Sequence, residues 1–205
     1  MIKRIVFATG NEGKMREVRQ ILQDLDCQIL SMKEAGIQTE IIEDGSSFEE
    51  NALIKAGTIA AELKKDREDT LVLADDSGLE IDYLHGEPGI YSARYLGEDT
   101  PYSVKNKNLI DRLEGVEDAR RTARFVCAIA AVFPDGEQVV TKGTIEGIIG
   151  YEERGEGGFG YDPIFFLPQY QKTTAELTAE EKNRISHRGQ ALRKMKEELK
   201  DKLDR

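Results

Sequence analysis

The chain has 205 residues, of which 39% are hydrophobic and 33% charged, as expected for a soluble globular protein that buries a sizeable core. Its formal net charge of −10 argues against broad binding to nucleic acids or anionic membranes, so an anionic ligand would need a local cluster of Lys and Arg. No apolar stretch approaches the roughly 20 residues that span a bilayer, and the N-terminal apolar run is too short for a signal peptide, which predicts a cytoplasmic protein.

The cysteines and histidines limit the metal chemistry open to this chain. Cys27 and Cys127 lie far apart, each within an apolar, strand-like segment, which favours buried free thiols over a disulfide or a metal site. With two histidines in the chain, a zinc site of histidine and cysteine ligands is not expected. An anionic ligand would therefore rely on basic residues together with a divalent cation.

Strand-like and helix-like segments alternate in the first part of the chain. Apolar, β-branched runs predict strands, and apolar residues at helical spacing predict helices. Ser47 and Glu50 form a capping-box pattern at the start of the second helix. The predicted segments are a strand over 2–8, a helix over 13–25, a strand over 27–32, a helix over 47–65 and strands over 69–78 and 79–84.

The second part of the chain adds a meander and a helical C-terminal region. The predicted segments are a helix over 101–115, strands over 121–133 and 138–150 joined by the turn "PDGE", a strand over 162–168, a capping box at "TAEE" and a final helix that starts at Ser186. Strands that alternate with helices, together with a meander, predict an α/β fold with a mixed β-sheet. Without a linker or an internal repeat, we interpret residues 1–205 as a single domain.

The segment "ATGNEGK" at 8–14 joins the first strand to the first helix. Gly10 and Gly13 are too close together for a P-loop, which also requires a hydroxyl residue after the lysine. Backbone N–H groups and the helix dipole at such a turn nevertheless favour an anion. Thr9 and Asn11 add polar side chains and Lys14 adds a positive charge. The segment indicates either a phosphate-binding turn or an ordinary tight turn with a solvated lysine.

Two further segments offer carboxylates for a divalent cation. Asp75 and Asp76 end an apolar strand, where alternating side chains cannot both face the same way; the stretch "DDSG" is also good turn chemistry. Glu43 and Asp44 precede a capped helix, and either could supply a second carboxylate, because Mg²⁺ prefers carboxylate oxygens and water. Lys55 in that helix could reach a phosphate. The alternative is structural, with glutamates at a helix cap and a solvated lysine.

Two segments near the C-terminus have features suited to a planar or a carbonyl-bearing ligand. In "GEGGFGYDP" four glycines surround Phe159, whose ring could stack on a planar ligand; a hairpin with a buried Phe is the alternative. His187 and Arg188 follow Ser186, a plausible N-cap. Basic residues are disfavoured at a helix N-terminus, and an anionic or carbonyl-bearing ligand would remove that conflict.

Taken in order, these segments resemble the inosine/xanthosine triphosphate pyrophosphatases, which hydrolyse non-standard purine nucleoside triphosphates. The resemblance runs through "ATGNEGK", "FEENALIKA", "ADDSGLEIDYLHGEPGIYSARY", "GGFGYDPIFF" and "ISHRGQAL" and spans nearly the whole chain. It implies an elongated mixed α/β fold of two lobes with a central active-site cleft. It also implies Mg²⁺ as the cofactor, a homodimer and hydrolysis of ITP, dITP and XTP to the monophosphate and pyrophosphate.

The resemblance assigns roles to individual residues. Asp76 would be the catalytic proton acceptor, and Glu43 and Asp76 would hold Mg²⁺. The implied substrate-binding residues are Thr9, Gly10, Asn11, Glu12, Gly13 and Lys14 around the triphosphate, Ser77 beside Asp76, and Phe159, Gly160, Tyr161, Asp162, Lys182, His187 and Arg188 around the nucleoside. From the residues themselves, Lys55 is a further candidate for a phosphate contact.

The chemistry of the reaction agrees with these assignments. Cleavage between the α- and β-phosphates needs charge neutralisation on departing pyrophosphate and an activated water, for which Asp76 is the expected base. Groups such as Arg188 would donate to the 6-carbonyl of hypoxanthine but leave the amine of adenine unpaired, a discrimination worth up to ~10⁴-fold. The alternatives are a pyrophosphatase of the Maf-like group, a non-catalytic nucleotide binder and a P-loop kinase or GTPase, and the last fails on loop spacing.

Overall fold

The protein is described here from a computed structural model, which covers residues 2–63 and 68–203. The strands are β1 Arg4–Phe7, β2 Gln28–Ser31, β3 Thr70–Ile81, β4 Thr122–Val132, β5 Gln138–Ile149, β6 Phe165–Leu167 and β7 Lys172–Thr173. The α-helices are α1 Glu12–Ile21, α2 Phe48–Glu62, α3 Tyr102–Arg112, α4 Ala179–Ile185 and α5 His187–Leu203. The predicted end of the second helix, at Lys64 and Lys65, lies outside the described residues.

The strands form one mixed sheet, which confirms the predicted α/β class. In the described residues the order is β2-β1-β3-β4-β5-β6-β7. The strand β1 pairs in parallel with β2 and β3, as expected of strands joined through helices. The pairs β5–β6 and β6–β7 are antiparallel. The predicted turn at 134–137 closes a hairpin, in which Phe133 N–H donates to the Glu137 carbonyl at 2.9 Å.

The described chain divides into two compact units, each with its own apolar core. The first unit comprises 1–76, 127–143 and 188–205, and the second comprises 77–126 and 144–187. The first core packs β1, α1 and α5 side chains such as Phe7, Val18 and Leu192. The second packs β3, α3 and β6 side chains such as Leu79, Leu109 and Phe165. That residues 1–205 act as one domain stays a prediction.

The strand β3 differs from the prediction in a way that matters for the site. The sequence predicts two strands separated by a turn at "DDSG", but β3 runs without interruption from Thr70 to Ile81. The turn interpretation is wrong because this segment continues β3, a central strand of the sheet, beyond Leu73, where the pairing of β3 with β1 ends. Asp75 and Asp76 therefore sit within a strand and not at its end.

The starts of the helices follow the predicted capping chemistry, with one exception. Thr178 and Glu181 form a full capping box. At α2 the Ser47 hydroxyl accepts from Glu50 N–H at 3.1 Å, but the Glu50 carboxylate accepts from Ser46 N–H at 2.7 Å instead of closing the box. The helix α1 ends at Ile21, earlier than predicted. None of the described helices is long and apolar enough to cross a membrane.

Both cysteines are free thiols, as predicted, although their surroundings differ. Cys127 lies fully buried in the first core, and burial raises the pKa of its thiol to about 12. Cys27 is half-buried, so the prediction of burial is confirmed in full for Cys127 alone. A thiol with so high a pKa is a packing residue and not a nucleophile.

Candidate active site

The loop between β1 and α1 is built as a helix N-terminus with a lysine at its first turn. Asn11 is the N-cap, and its Oδ1 accepts from Lys14 N–H at 3.0 Å. The Thr9 hydroxyl accepts from Asn11 N–H at 3.1 Å, which fixes the turn. Gly10 is exposed, and a Cβ there would meet no atom within 4 Å. The turn thus presents backbone and a helix N-terminus, the arrangement that binds phosphate.

Lys14 is held by a buried carboxylate on β3. Its Nζ donates to Asp75 Oδ1 at 3.0 Å, while Asp75 Oδ2 accepts from Arg188 Nη2 at 3.0 Å and Nε at 3.2 Å. Arg188 Nη1 also donates to Glu17 of α1. Burial acts to raise the pKa of Asp75, but Lys14, Arg188 and Lys55 outweigh burial and hold this pKa well below its usual range. Asp75 is therefore an ionised anchor between α1 and α5.

The neighbouring carboxylate of Asp76 has a separate set of partners. Asp76 Oδ1 accepts from Lys55 Nζ at 3.0 Å, and the same Nζ lies 3.0 Å from Glu43 Oε2. Asn51 Nδ2 donates to Asp76 Oδ2 at 3.2 Å. Burial raises the pKa of Asp76 above its ordinary value, and Lys55 offsets burial only in part because Glu43 shares its charge. The predicted divergence of the two aspartates is confirmed by these partners.

These seven side chains in the first unit form what we call the charged cluster: Lys14, Glu17, Glu43, Lys55, Asp75, Asp76 and Arg188. Three cations against four carboxylates leave a formal excess of one negative charge. A triphosphate would be repelled by that excess unless a further cation joined the cluster. The charge balance thus favours binding of a metal ion together with an anionic substrate.

The pair Glu43 and Asp76 fits Mg²⁺ by the chemistry of its donors. Both carboxylates already converge on one cation, the Lys55 ammonium group. Mg²⁺ is usually held by one or two carboxylates together with water and substrate phosphates, so two such groups suffice. Among residues 2–63 and 68–203, no group of three or more His, Cys, Asp or Glu side chains is arranged to hold a metal ion.

In the second unit a glycine-rich loop is organised around one buried carboxylate. Asp162 Oδ2 accepts from Phe159 N–H at 2.8 Å and from Lys182 Nζ at 2.6 Å, and Oδ1 accepts from the Thr174 hydroxyl at 2.8 Å. Lys182 Nζ also lies 4.7 Å from the centre of the half-buried Phe159 ring. We call Phe159, Asp162, Thr174 and Lys182 the loop cluster. Asp162 therefore fixes the ring and the ammonium group that lie beside it.

Two other predicted nucleoside residues are held by packing in the second unit. Tyr161 is buried, its hydroxyl donates to the Ser92 carbonyl at 2.6 Å, and its ring meets Tyr102 edge-on at 5.2 Å. His187 is 6% exposed and stacks on Phe125 with ring centres 4.8 Å apart. The side chain of Tyr161 thus holds the loop in place. Because this side chain is buried, a ligand would contact the backbone of the loop next to it.

The structure therefore groups the predicted residues by unit. In the first unit it brings together Lys14, Glu43, Lys55, Asp76 and Arg188, with the loop Thr9–Gly13 leading into Lys14. In the second it brings together Phe159, Gly160, Asp162 and Lys182, while Ser77 is half-buried on β3 directly after Asp76. No role was predicted for Glu17, Asn51 or Thr174. Of these three residues, Asn51 is the one that the sequence could have indicated, because it is a polar residue among the apolar residues of a predicted helix face.

Gly158 is required by the loop cluster, and a methyl group there tests its importance. A Cβ on Gly158 would lie 2.1 Å from Asp162 Oδ2, and the residue has φ of +71°. We expect Gly158→Ala to displace Asp162 and to lower kcat/KM about 100-fold for the preferred nucleotide, because small misplacements of a binding group cost that much. Steady-state kinetics over a range of substrate concentrations measure the effect.

Gly86 supplies a matched control for that substitution. It has φ of +89°, yet a Cβ there would meet nothing within 4 Å. Gly86→Ala introduces the same backbone strain, of order 1 kcal/mol, without the collision. Equal kinetic effects of the two substitutions would show that backbone strain, and not the displacement of Asp162, causes the loss.

Comparison with known proteins gives matches over nearly the full chain. Residues 5–198 match the Ham1 family. A dITP/XTP pyrophosphatase of Clostridium perfringens is 50% identical over 200 residues, 97% of this chain and 98% of that protein. A dITP/XTP pyrophosphatase of Bacillus licheniformis is 47% identical over 194 residues, 95% of this chain and 96% of that protein. The solved structure of the Staphylococcus aureus Ham1 protein has a TM-score of 0.85 and 42% identity, covering 98% of this chain and 100% of that chain.

Proposed function

The chain belongs to the Ham1 family, and on this premise we propose that it hydrolyses dITP, ITP and XTP to the nucleoside monophosphate and pyrophosphate with Mg²⁺. The similar proteins of Clostridium perfringens and Bacillus licheniformis bear the name dITP/XTP pyrophosphatase. The observation that carries the proposal is the buried carboxylate of Asp76, which lies against Lys55 and Glu43 in a cluster with a negative excess. This arrangement suits a base that works beside a metal ion and a polyphosphate.

Asp76 is the proposed proton acceptor for the attacking water. A general base is most effective when its pKa is brought towards the working pH, and burial raises the pKa of Asp76. Its two oxygens are oriented by different donors, Lys55 on Oδ1 and Asn51 on Oδ2. The carboxylate is thus pre-oriented before any substrate arrives, which is the condition for efficient proton transfer.

The lysines and the first helix are the proposed phosphate ligands. Glu43 and Asp76 would hold Mg²⁺, which when bound neutralises charge on the departing pyrophosphate. Lys14 lies at the N-terminal turn of α1, whose N–H groups and dipole favour the same anion, and the loop residues Thr9–Gly13 would wrap the phosphates. Lys55 could give up part of its bond to Glu43 when a phosphate oxygen comes within reach. These groups bind and orient, and Asp76 moves the proton.

The loop cluster supplies the proposed nucleoside contacts. Phe159 would stack on the base, with Gly160, Tyr161 and Asp162 around it and with Ser77, Lys182, His187 and Arg188 completing the substrate contacts. Reading of the 6-carbonyl requires donors, which Lys182 and the loop backbone offer. Nε and Nη2 of Arg188 donate to Asp75 and Nη1 donates to Glu17, so the guanidinium group is already oriented by two carboxylates. We therefore propose that Arg188 acts mainly by holding Asp75.

We also propose that the protein is a cytoplasmic homodimer. The support is the resemblance of its motifs to the inosine/xanthosine triphosphate pyrophosphatases. Light scattering coupled to size exclusion measures the mass in solution, for which a dimer gives twice the 23.0 kDa of one chain. A mass of one chain at micromolar concentration would contradict the dimer.

A substrate panel tests the proposed activity. Pyrophosphate and orthophosphate release are measured with dITP, ITP, XTP, GTP, ATP and dUTP in the presence of Mg²⁺. We expect kcat/KM for the three hypoxanthine and xanthine nucleotides to exceed that for ATP by at least about 100-fold, because a site built from donors leaves the adenine amine unpaired. Pyrophosphate, and not orthophosphate, is the expected product.

The same panel distinguishes the rival activities. A preference for dUTP or another pyrimidine would favour an enzyme of the Maf-like type. Tight binding of dITP without product release would favour a non-catalytic nucleotide binder. Release of orthophosphate alone would place the cleavage between the β- and γ-phosphates and contradict the proposal.

A further inference from the structure

Asn51 is a fully buried polar residue in the first turn of α2. It is 0% exposed, and asparagine is a weak helix former because its side chain competes for backbone hydrogen bonds. The other buried residues of this helix are apolar, among them Phe48, Ala52 and Ile59, except for Lys55. Helix propensity and apolar packing therefore do not account for an amide at this position.

The amide orientation of Asn51 is fixed by its neighbours. Its Oδ1 accepts from Gly45 N–H at 2.9 Å, and its Nδ2 donates to Asp76 Oδ2 at 3.2 Å. The reverse orientation would set the amide NH₂ against a backbone N–H and the amide oxygen against a carboxylate. The donor of Asn51 consequently faces Asp76, and the acceptor faces the loop that carries Glu43.

The contact with the loop is close as well as hydrogen-bonded. A Cβ on Gly45 would lie 2.7 Å from Asn51 Oδ1 and 2.8 Å from Glu50 Cβ. The backbone two residues after Glu43 can therefore approach α2 only because residue 45 is a glycine. Through one amide, the Glu43 loop and the Asp76 strand are joined to the same helix.

We propose that Asn51 is a positioning residue that fixes the carboxylate plane of Asp76 and the loop of Glu43 for catalysis. The proposal rests on the proposed function of Asp76 as proton acceptor. The terminal torsion of an aspartate is broad and roughly two-fold, so Lys55 on Oδ1 alone leaves the plane free to turn about that bond. A second donor on Oδ2 removes this freedom.

The kinetic consequence is a loss of turnover without loss of substrate binding. The amide oxygen of Asn51 accepts from Gly45 N–H and its nitrogen donates to Asp76, so both ends of the amide bind protein groups. Its removal lets Asp76 misalign, and misalignments of this size cost about 100-fold in rate. We expect Asn51→Ala to lower kcat about 100-fold and to change KM by less than about threefold.

The test separates positioning from ordinary structural support. Asn108→Ala in α3 is the matched control, since it also deletes a hydrogen bond made by a helical asparagine. In this case Asn108 Oδ1 accepts from the Tyr95 hydroxyl at 2.7 Å. Both variants are expected to lower the free energy of unfolding by about 1–3 kcal/mol, measured in urea. Asn108→Ala should keep wild-type kcat per folded molecule, whereas Asn51→Ala should not.

Two further variants make the result independent of folding. Asn51→Asp keeps an acceptor for Gly45 N–H but, when ionised, has no hydrogen to donate to Asp76, so it should also lower kcat. It tests the same contact if Asn51→Ala does not fold. In the Asp76→Asn background, Asn51→Ala should cause no further loss, because residues that act through one group are not additive. Calorimetry with a dITP analogue that carries methylene between the α- and β-phosphorus atoms should give dissociation constants within about threefold of wild type.

The outcomes that overturn the proposal are specific. One is a kcat within threefold of wild type in Asn51→Ala. Another is a further loss in the double variant as large as the loss in the single variant. The kinetic measurements use the triphosphate that the wild-type enzyme turns over best. An error in the proposed substrate would therefore appear in the order of kcat/KM values of the wild-type enzyme for the nucleotide panel. An error about Asn51 would appear in the ratio of variant to wild type.

Discussion

Asp76→Asn is expected to lower kcat by about 10²–10⁴-fold while the protein remains folded. The loss follows from removing the proposed proton acceptor, since general-base catalysis contributes roughly 10²–10⁴-fold. With Mg²⁺ at saturation, KM should change little because Glu43, Lys14 and the N-terminus of α1 remain in place, whereas the apparent affinity for Mg²⁺ should fall with the loss of one proposed ligand. Pyrophosphate release with dITP and Mg²⁺ measures the loss, and burst experiments confirm that the chemical step is affected.

Two opposing effects act on the free energy of unfolding of this variant. A carboxylate whose folded pKa is raised is less easily ionised in the folded state, so its charge costs stability above that pKa. The new amide removes this cost and keeps an acceptor for Lys55, but it places an NH₂ group against Asn51 Nδ2, a loss of about 1 kcal/mol. The free energy of unfolding should therefore stay within about 2 kcal/mol of wild type.

A surface aspartate provides the control for this substitution. Asp111 pairs with Lys107 at 2.8 Å on the exposed side of α3, and Asp111→Asn should leave both kcat and stability unchanged. If Asp76→Asn keeps more than a tenth of wild-type kcat, Asp76 is not the base. If it unfolds the protein, the role of this carboxylate is structural and the proposed mechanism loses its main support.

The sheet and the charged residues were predictable because they depend on local pattern. Periodicity located the helices and strands, and alternation along a strand predicted that Asp75 and Asp76 diverge. The prediction of a turn at "DDSG" failed because turn chemistry is a local preference, whereas the pairing of β3 on both sides is a tertiary constraint. The turn preference of "DDSG" was therefore outweighed by the pairing of β3 as a continuous central strand.

The partners of the charged residues could not be read from the sequence. Arg188 and Glu17 are 171 positions apart, and Asn51 and Asp76 are 25 apart. No periodicity relates such positions, and a glutamate in α1 resembles any solvated helix glutamate. The sequence therefore predicts a base-reading role for Arg188, while the structure shows its three donor atoms on carboxylates. That role stays a prediction.

The adjacent carboxylate, Asp75, should show the opposite behaviour to Asp76. It is fully buried and pairs with Lys14 and Arg188, so Asp75→Asn removes one partner from a buried ion pair. Such a loss costs about 3–5 kcal/mol, because it leaves a buried charge poorly compensated. For a chain of this size we expect the melting temperature to fall by roughly 6–20 °C. Calorimetry or urea unfolding measures the change.

Besides lowering stability, Asp75→Asn should change the kinetics, because Asp75 holds Lys14. Without Asp75 its ammonium group loses the contact that holds it beside the loop of α1. We therefore expect KM for the nucleotide to rise about tenfold in Asp75→Asn, with a smaller change in kcat per folded molecule. Asp76→Asn should do the reverse, losing kcat with little change in KM, so the two neighbouring substitutions serve as controls for each other.

The pH dependence of stability gives Asp75 a separate test. Its folded pKa is depressed, so its contribution to stability is present above the unfolded value of 3.8 and is lost as pH falls through the folded pKa. The difference in unfolding free energy between wild type and Asp75→Asn should thus be constant from about pH 7 down to about pH 5. A difference below about 1 kcal/mol, or one that already narrows between pH 7 and pH 6, would mean that Asp75 is not an ionised anchor, because a carboxylate with a lowered pKa cannot take up a proton in that range.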